Sequence, residues 1–170
     1  CWHGVTTVLM GNCGVGFAPM RPDQRRWFIG LMEAVEDIPA AVLEEALTFR
    51  WEGFPEYLDA IDQTPRAIDV AALIPHSPLR VFVMGERGAD HQAVPTADEL
   101  AHMQALAAEA ARAGAIGASS ARTVAHRTGS GGRVPCYATR RDELEAIARG
   151  LKSAGHGLLE IAAGYEESDL

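Results

Sequence analysis

Four short apolar runs, at 5–10, 68–74, 115–120 and 158–163, are separated by longer stretches whose apolar residues recur every three or four positions. That alternation of buried strand and amphipathic helix leaves few folds open, because strands so connected must run parallel through right-handed crossovers. The first run is β-branched and ends in Gly11-Asn12. Pro19, Pro22 and Asp23 then prepare a helix through Trp27, Phe28, Leu31 and Met32, residues 40–47 suit a second, and positions 54, 57, 58 and 61 carry a third. Of the adjoining runs 68–74 and 79–84, split by Pro75-His76-Ser77-Pro78, the first is read as the strand. Thr96 and Glu99 form a capping box for a helix that runs to about Ala113 and stops at Gly114. Thr139 and Asp142 repeat the hydroxyl-x-x-acid start, predicting a helix with a buried stripe of Leu144, Ile147, Ala148 and Leu151 and a Glu145–Arg149 pair outside. Strands are therefore predicted near 5–11, 68–75, 115–120 and 158–163, side by side in sequence order.

Two architectures fit, a doubly wound sheet and an arc of a (β/α) barrel. Gly11, Gly14 and Gly16 lack the spacing of a dinucleotide fingerprint, and no acidic residue follows at the end of a second strand. The fold expected is a partial (β/α) TIM-type barrel of about four parallel strands with flanking helices, residues 1–170 being one incomplete segment of it. An opening of Cys1-Trp2-His3 without an initiator Met agrees with a piece of a longer chain. A net charge of −8, with no basic cluster longer than Arg25-Arg26 or Arg140-Arg141, argues against nucleic acid as a partner. No apolar stretch reaches the ~20 residues of a membrane span and no secretory pattern opens the chain, so a cytoplasmic protein without a membrane partner is expected. Cys1, Cys13 and Cys136 are an odd set without short-range pairing, which suggests free thiols or a metal ligand.

In parallel α/β folds the working residues lie just past the C-terminal ends of strands. Asn12 and Cys13 follow the first strand, His76 the second, Ser119, Ser120, Arg122, His126 and Arg127 lie in or after the third, and Glu160 is on the fourth. Cys13, flanked by glycines, suits a thiolate metal ligand or a nucleophile, or else a small buried hydrophobe. His76 between two prolines is rigidly placed, as a ligand, a hydrogen-bond donor or a structural loop histidine. His126-Arg127, beside the Gly-rich loop 128–133, would grip a carboxylate or simply be solvated. His3, His91, His102 and His156 read as surface or turn positions.

Specific motifs narrow these alternatives. The segment Gly4-Val5-Thr6-Thr7-Val8-Leu9-Met10-Gly11-Asn12-Cys13-Gly14, with Phe54-Pro55-Glu56-Tyr57-Leu58, Pro75-His76-Ser77-Pro78-Leu79-Arg80 and Val83-Met84-Gly85, resembles the D-aminoacylase (N-acyl-D-amino-acid deacylase) branch of the amidohydrolase superfamily. The resemblance covers essentially all 170 residues. It implies a metal-dependent barrel hydrolase that cleaves the amide bond of N-acylated D-amino acids or similar small molecules. In that family the cysteine matching Cys13 is a zinc ligand, joined by a His-x-His pair on the preceding strand, a later histidine and a catalytic aspartate. The pair would precede Cys1 and the aspartate would follow Leu170, where the rest of the barrel is expected. The strand that carries the later histidine here reads Leu158-Leu159-Glu160-Ile161-Ala162-Ala163, so that either Glu160 replaces the ligand or the metal count differs. Substrate is expected to meet His76, Ser119, His126 and Arg127, and Cys136 has no matched role. Two other readings stand beside this one: an N-terminal-nucleophile amidase using Cys1, and a non-catalytic α/β scaffold.

Overall fold

The computed structural model describes residues 2–164. Their strands, β1 (Thr7–Met10), β2 (Asp69–Pro75), β3 (Gly117–Ala121) and β4 (Leu158–Ala162), form one parallel sheet in the order β1-β2-β3-β4. Val8 lies against Val70, Ile74 against Ala118 and Ser119 against Glu160, so the chain steps across the sheet one strand at a time. The strand order, parallel sense and positions are those predicted, as an arc of a barrel requires. Val8, Leu9 and Met10 on the first edge and Leu158 and Ile161 on the last are exposed apolar side chains.

Six helices connect and cover the strands of the described residues: α1 (Arg25–Glu36), α2 (Ala40–Ala46), α3 (Phe54–Asp62), α4 (His76–Met84), α5 (Ala97–Ala113) and α6 (Arg141–Ala154). The run 79–84, left without an assignment when 68–74 was read as the strand, is helical, and Pro78 sits in the first turn, where its missing N–H costs nothing. α5 is capped as its sequence says: Glu99 N donates to Thr96 Oγ1 at 3.2 Å and Thr96 N to Glu99 Oε2 at 2.7 Å. The main core lies between one face of the sheet, with Ala72, Ile74 and Ala118, and α5 and α6, with Met103, Ala107, Ala111, Ile147 and Leu151. Gly150 lets α5 and α6 close up, since a Cβ there would stand 2.9 Å from Ala107 Cβ and press on the Gln104 carbonyl.

α6 departs from its predicted start. Its N-cap is Arg140 with no side-chain cap, and Thr139 is buried in front of it. Asp142 instead pairs with Arg140 Nε at 3.1 Å and accepts Glu143 N at 3.0 Å, so it does not close a box on Thr139. The buried stripe is Glu143, Ala146, Ile147, Gly150 and Leu151 rather than one through Leu144 and Ala148. The cause is the Glu143 carboxylate, which is bound inside the protein and fixes the rotation of the helix. The Glu145–Arg149 pair forms on the outer side at 3.3 Å.

Candidate metal-ligand turn and the cavity beside it

At the end of β1 the chain turns over the sheet through the 3₁₀ segment Asn12–Gly14. Gly11, Cys13 and Gly14 have φ of 86°, 59° and 74°, all in the left-handed region. Glycine adopts that backbone freely, but at Cys13 it costs about 1–2 kcal/mol. Neighbouring strands hold it in place. Gly14 N donates to Ser119 Oγ at 3.1 Å, and that hydroxyl donates to the Gly11 carbonyl, so one β3 side chain ties both ends of the turn. Cys13 N donates to Glu160 Oε2 of β4 at 3.3 Å, and Asn12 Nδ2 to the Leu9 carbonyl at 3.0 Å. A strained residue over-determined by two strands is a common mark of a functional position.

The Cys13 thiol is half-buried, and its pKa is pushed up to about 11, first by burial and then by the negative charges of Glu36 and Glu160 and by Cys136. A soft sulfur donor held beside a carboxylate is the donor chemistry that a zinc ion takes, and the ion's charge would favour the thiolate that this surrounding otherwise disfavours. Among the described residues no three His, Cys, Asp or Glu side chains assemble as a ligand set. Cys13 and Glu160 have donor types that zinc accepts, and the contact shown between them runs from the Cys13 backbone N–H to the carboxylate.

His76 lies at the end of β2 but is sealed from solvent. Its Nδ1 meets Ser120 Oγ at 3.0 Å and its Nε2 meets Glu143 Oε2 at 3.1 Å, while Glu143 also pairs with Arg80. Arg80 Nε donates to the Gly88 carbonyl at 3.1 Å, and its Nη2 to the carbonyls of Asp90 and Ala93. Burial would raise the Glu143 pKa, but hydrogen bonds from His76 and Arg80, with their charges, hold it below the ordinary glutamate range. Ser120 adjoins Ser119, so this network backs the strand that clamps the Cys13 turn.

Ser119 is thus joined to the Cys13 turn directly and His76 through the adjoining Ser120. His126 and Arg127 lie on the loop after β3, with no hydrogen bond to that turn among the described residues. His126 is half-buried with its Nδ1 unpartnered, and Arg127 is exposed with Nη1 donating to the Gly131 carbonyl at 3.0 Å. Cys136 is fully buried, its sulfur where a Cβ on Gly14 would fall, within 2.8 Å. Cys1 lies outside the described residues. Sequence reasoning passed over Arg80, Glu143 and Glu36. Arg80 left a signal, a charge inside the apolar run 79–84, whereas Glu143 sits among other polar residues of an apparent helix start and left none.

Beside the turn lies a cavity of about 510 Å³, reached by Cys13 and Glu36 and walled largely by apolar side chains. No helix of the described residues is long and apolar enough to cross a membrane.

No family model matches the chain. A D-aminoacylase of Alcaligenes xylosoxydans xylosoxydans is 41% identical over 118 residues, which are 69% of this chain and 21% of that relative. The crystal structure of a D-aminoacylase described as defining a novel subset of amidohydrolases superimposes with a TM-score of 0.63 at 32% identity, over 94% of this chain and 28% of its own. An N-acyl-D-glutamate deacylase from Bordetella bronchiseptica, complexed with zinc and a phosphonate mimic of the tetrahedral intermediate, gives 0.63 at 31% identity over the same shares. The chain spans less than a third of the length of each of these proteins.

Proposed function

On the premise that the chain is related in sequence and fold to a segment of the D-aminoacylase amidohydrolases, we propose that it is part of a metal-dependent hydrolase that cleaves the amide bond of N-acyl-D-amino acids or similar compounds. The observation that carries this reading is the Cys13 turn, a left-handed cysteine at a strand end, clamped by Ser119 and placed beside the Glu160 carboxylate. In this reading Cys13 and Glu160 hold zinc, and the remaining ligands and a catalytic aspartate come from the rest of the polypeptide, whose strands cover the exposed edges of β1 and β4. Zinc, when bound, supplies a water acidified toward neutral pH and a positive charge for the oxygen of the cleaved carbonyl.

The residues of this chain supply position and charge. Ser119 keeps the Gly11 carbonyl and Gly14 amide in one geometry, so the sulfur is aimed by β3 and not by a free loop. His76, held by Ser120 and Glu143, is a positioning residue that braces β3 from behind. Arg127, exposed and with guanidinium N–H groups beyond the one given to Gly131, is assigned with His126 to the substrate carboxylate, which an Arg fork grips in two places.

The test is metal dependence in the full-length protein. N-acetyl-D-amino acids are expected to be hydrolysed, the activity to vanish after chelation and dialysis, and added zinc to restore it. Undiminished hydrolysis by protein shown to be metal-free would overturn the proposal.

A further inference from the structure

Gly14 brings the two described thiols together. It follows Cys13 in the chain, and a Cβ built on it would stand 2.8 Å from the sulfur of Cys136. Both thiols are free. Cys13 packs against the cluster of Val15, Val81, Ala121 and Val134 to which Cys136 belongs, close enough for a charge on Cys136 to act on it. The two differ in exposure and in freedom. Cys136 is sealed from solvent, its N–H donating to Ser77 Oγ at 3.3 Å and its turn closed by a hydrogen bond of 3.0 Å from Tyr137 N to the Val134 carbonyl. Cys13 is half-buried and stands between Gly11 and Gly14, whose backbones rotate with little steric cost. Its own left-handed φ of 59° is a conformation that a residue with a Cβ gives up readily.

We infer that Cys13 and Cys136 are an oxidation site for peroxides, closing into a reversible disulfide that takes the Cys13 sulfur away from zinc. The consequence for zinc rests on the hydrolase reading, whereas the bond itself does not. The half-buried thiol reacts first. A hydrolase of this kind admits water to its metal, and hydrogen peroxide is little larger. The Cys13 thiolate attacks one peroxide oxygen, which gives a sulfenic acid and a hydroxide that takes up the thiol proton as water. The Cys136 sulfur then displaces the sulfenic hydroxyl, which leaves as a second water with the Cys136 proton. Two thiols and one peroxide become one disulfide and two waters, each sulfur losing one electron and the peroxide gaining two. A disulfide needs Cβ atoms about 3.5–4.5 Å apart, and the glycine-flanked turn is the part that moves to reach it. Cys136, fixed and sealed, does not meet peroxide itself, so its part is to trap the oxidised Cys13 before a second peroxide does.

The test treats full-length protein, zinc-loaded and zinc-depleted, with hydrogen peroxide, alkylates the remaining thiols and maps the peptides by mass. A peptide pair joined through Cys13 and Cys136, lighter than its two parts by two hydrogens, is expected. In the zinc-loaded protein, zinc should be released in step with the cross-link, and turnover of N-acetyl-D-amino acids should fall by about 100-fold, as for loss of the ligand itself. Dithiothreitol with added zinc should restore both. Cys136→Ala should start with turnover near the parent's but fail to recover after peroxide, because an untrapped sulfenic acid goes on to sulfinic acid. Should that variant melt too low to handle, Cys136→Ser takes its place with the same expectation. Absence of the cross-link in both zinc states would overturn the inference, as would Cys13 joined to another cysteine or a Cys136→Ala protein that recovers as fully as the parent. If no amide is hydrolysed and no zinc is held, the hydrolase reading fails, and the peptide map alone decides the pair.

Discussion

At the end of β1 the chain leaves the sheet through a left-handed turn whose thiol opens onto a cavity, whereas at the end of β2 it passes into α4 through His76, which no solvent reaches. Both are strand ends at the same side of a parallel sheet, where catalytic residues collect in such folds. At the first, backbone strain and a half-exposed sulfur are held by two strands, and the sulfur keeps its coordination capacity. At the second, both imidazole nitrogens have partners, and the carboxylate between His76 and Arg80 is consumed by them. Strand-end position thus selects candidates, while the hydrogen-bonding capacity left over separates Cys13, proposed as a ligand, from His76, proposed as a brace.

The contrast predicts that the two ends fail differently. Glu143→Ala, which strips the buried Arg80 and His76 of their shared partner, should cost about 3–5 kcal/mol of stability in the full-length protein, read by denaturant unfolding. If it left stability unchanged and removed activity, the division of labour would be reversed. Acid should find the same point. Because Glu143 holds its proton less tightly folded than unfolded, its contribution is full above the ordinary glutamate range and is lost as pH falls through its lower folded value. Glu143→Gln should therefore flatten the acid limb of a stability–pH curve, and an unchanged limb would show that the pair is not what acid breaks. Gly150→Ala, far from both ends, should cost about 1–3 kcal/mol by forcing α5 from α6, measurable as a lower melting temperature with zinc content unchanged. Ser119→Ala should act mainly on the turn, weakening zinc affinity by about 10-fold or more, as loss of a supporting hydrogen bond does. Thr96→Ala, which removes the α5 cap, should cost only about 1 kcal/mol and leave zinc alone.

Much of this was legible in the sequence for a physical reason. Strands and helices here announce themselves by period: 68–74 reads as a strand, the spacing 54, 57, 58, 61 as a helix, and Thr96-x-x-Glu99 as a cap, because each depends on residues close in sequence. What escaped depends on residues far apart. The rotation of α6 is set by Glu143 meeting Arg80 and His76, more than sixty residues away, and no local pattern in 139–151 distinguishes that carboxylate from a solvated one. The same helix also lacks the box that Thr139 and Asp142 spell out, since Asp142 finds a nearer partner in Arg140. Cys13 was legible through its motif, but the Ser119 clamp and the approach of Glu160 come from register, which places Ser119 opposite Glu160 on adjoining strands. Cys136, without a motif, gave no hint that its sulfur lies against Gly14.

The most direct test pairs the two described thiols. Zinc per chain and turnover of N-acetyl-D-amino acids should be measured in full-length Cys13→Ala and Cys136→Ala, with the melting temperature of each as control. The account predicts that Cys13→Ala loses most of its zinc and at least about 100-fold in kcat/KM while melting close to the parent. Cys136→Ala, which empties part of a core, should melt lower by an amount worth about 1 kcal/mol yet keep its zinc and its turnover. A Cys13→Ala protein with full zinc and full turnover would contradict the account and leave Cys13 an ordinary, partly buried thiol.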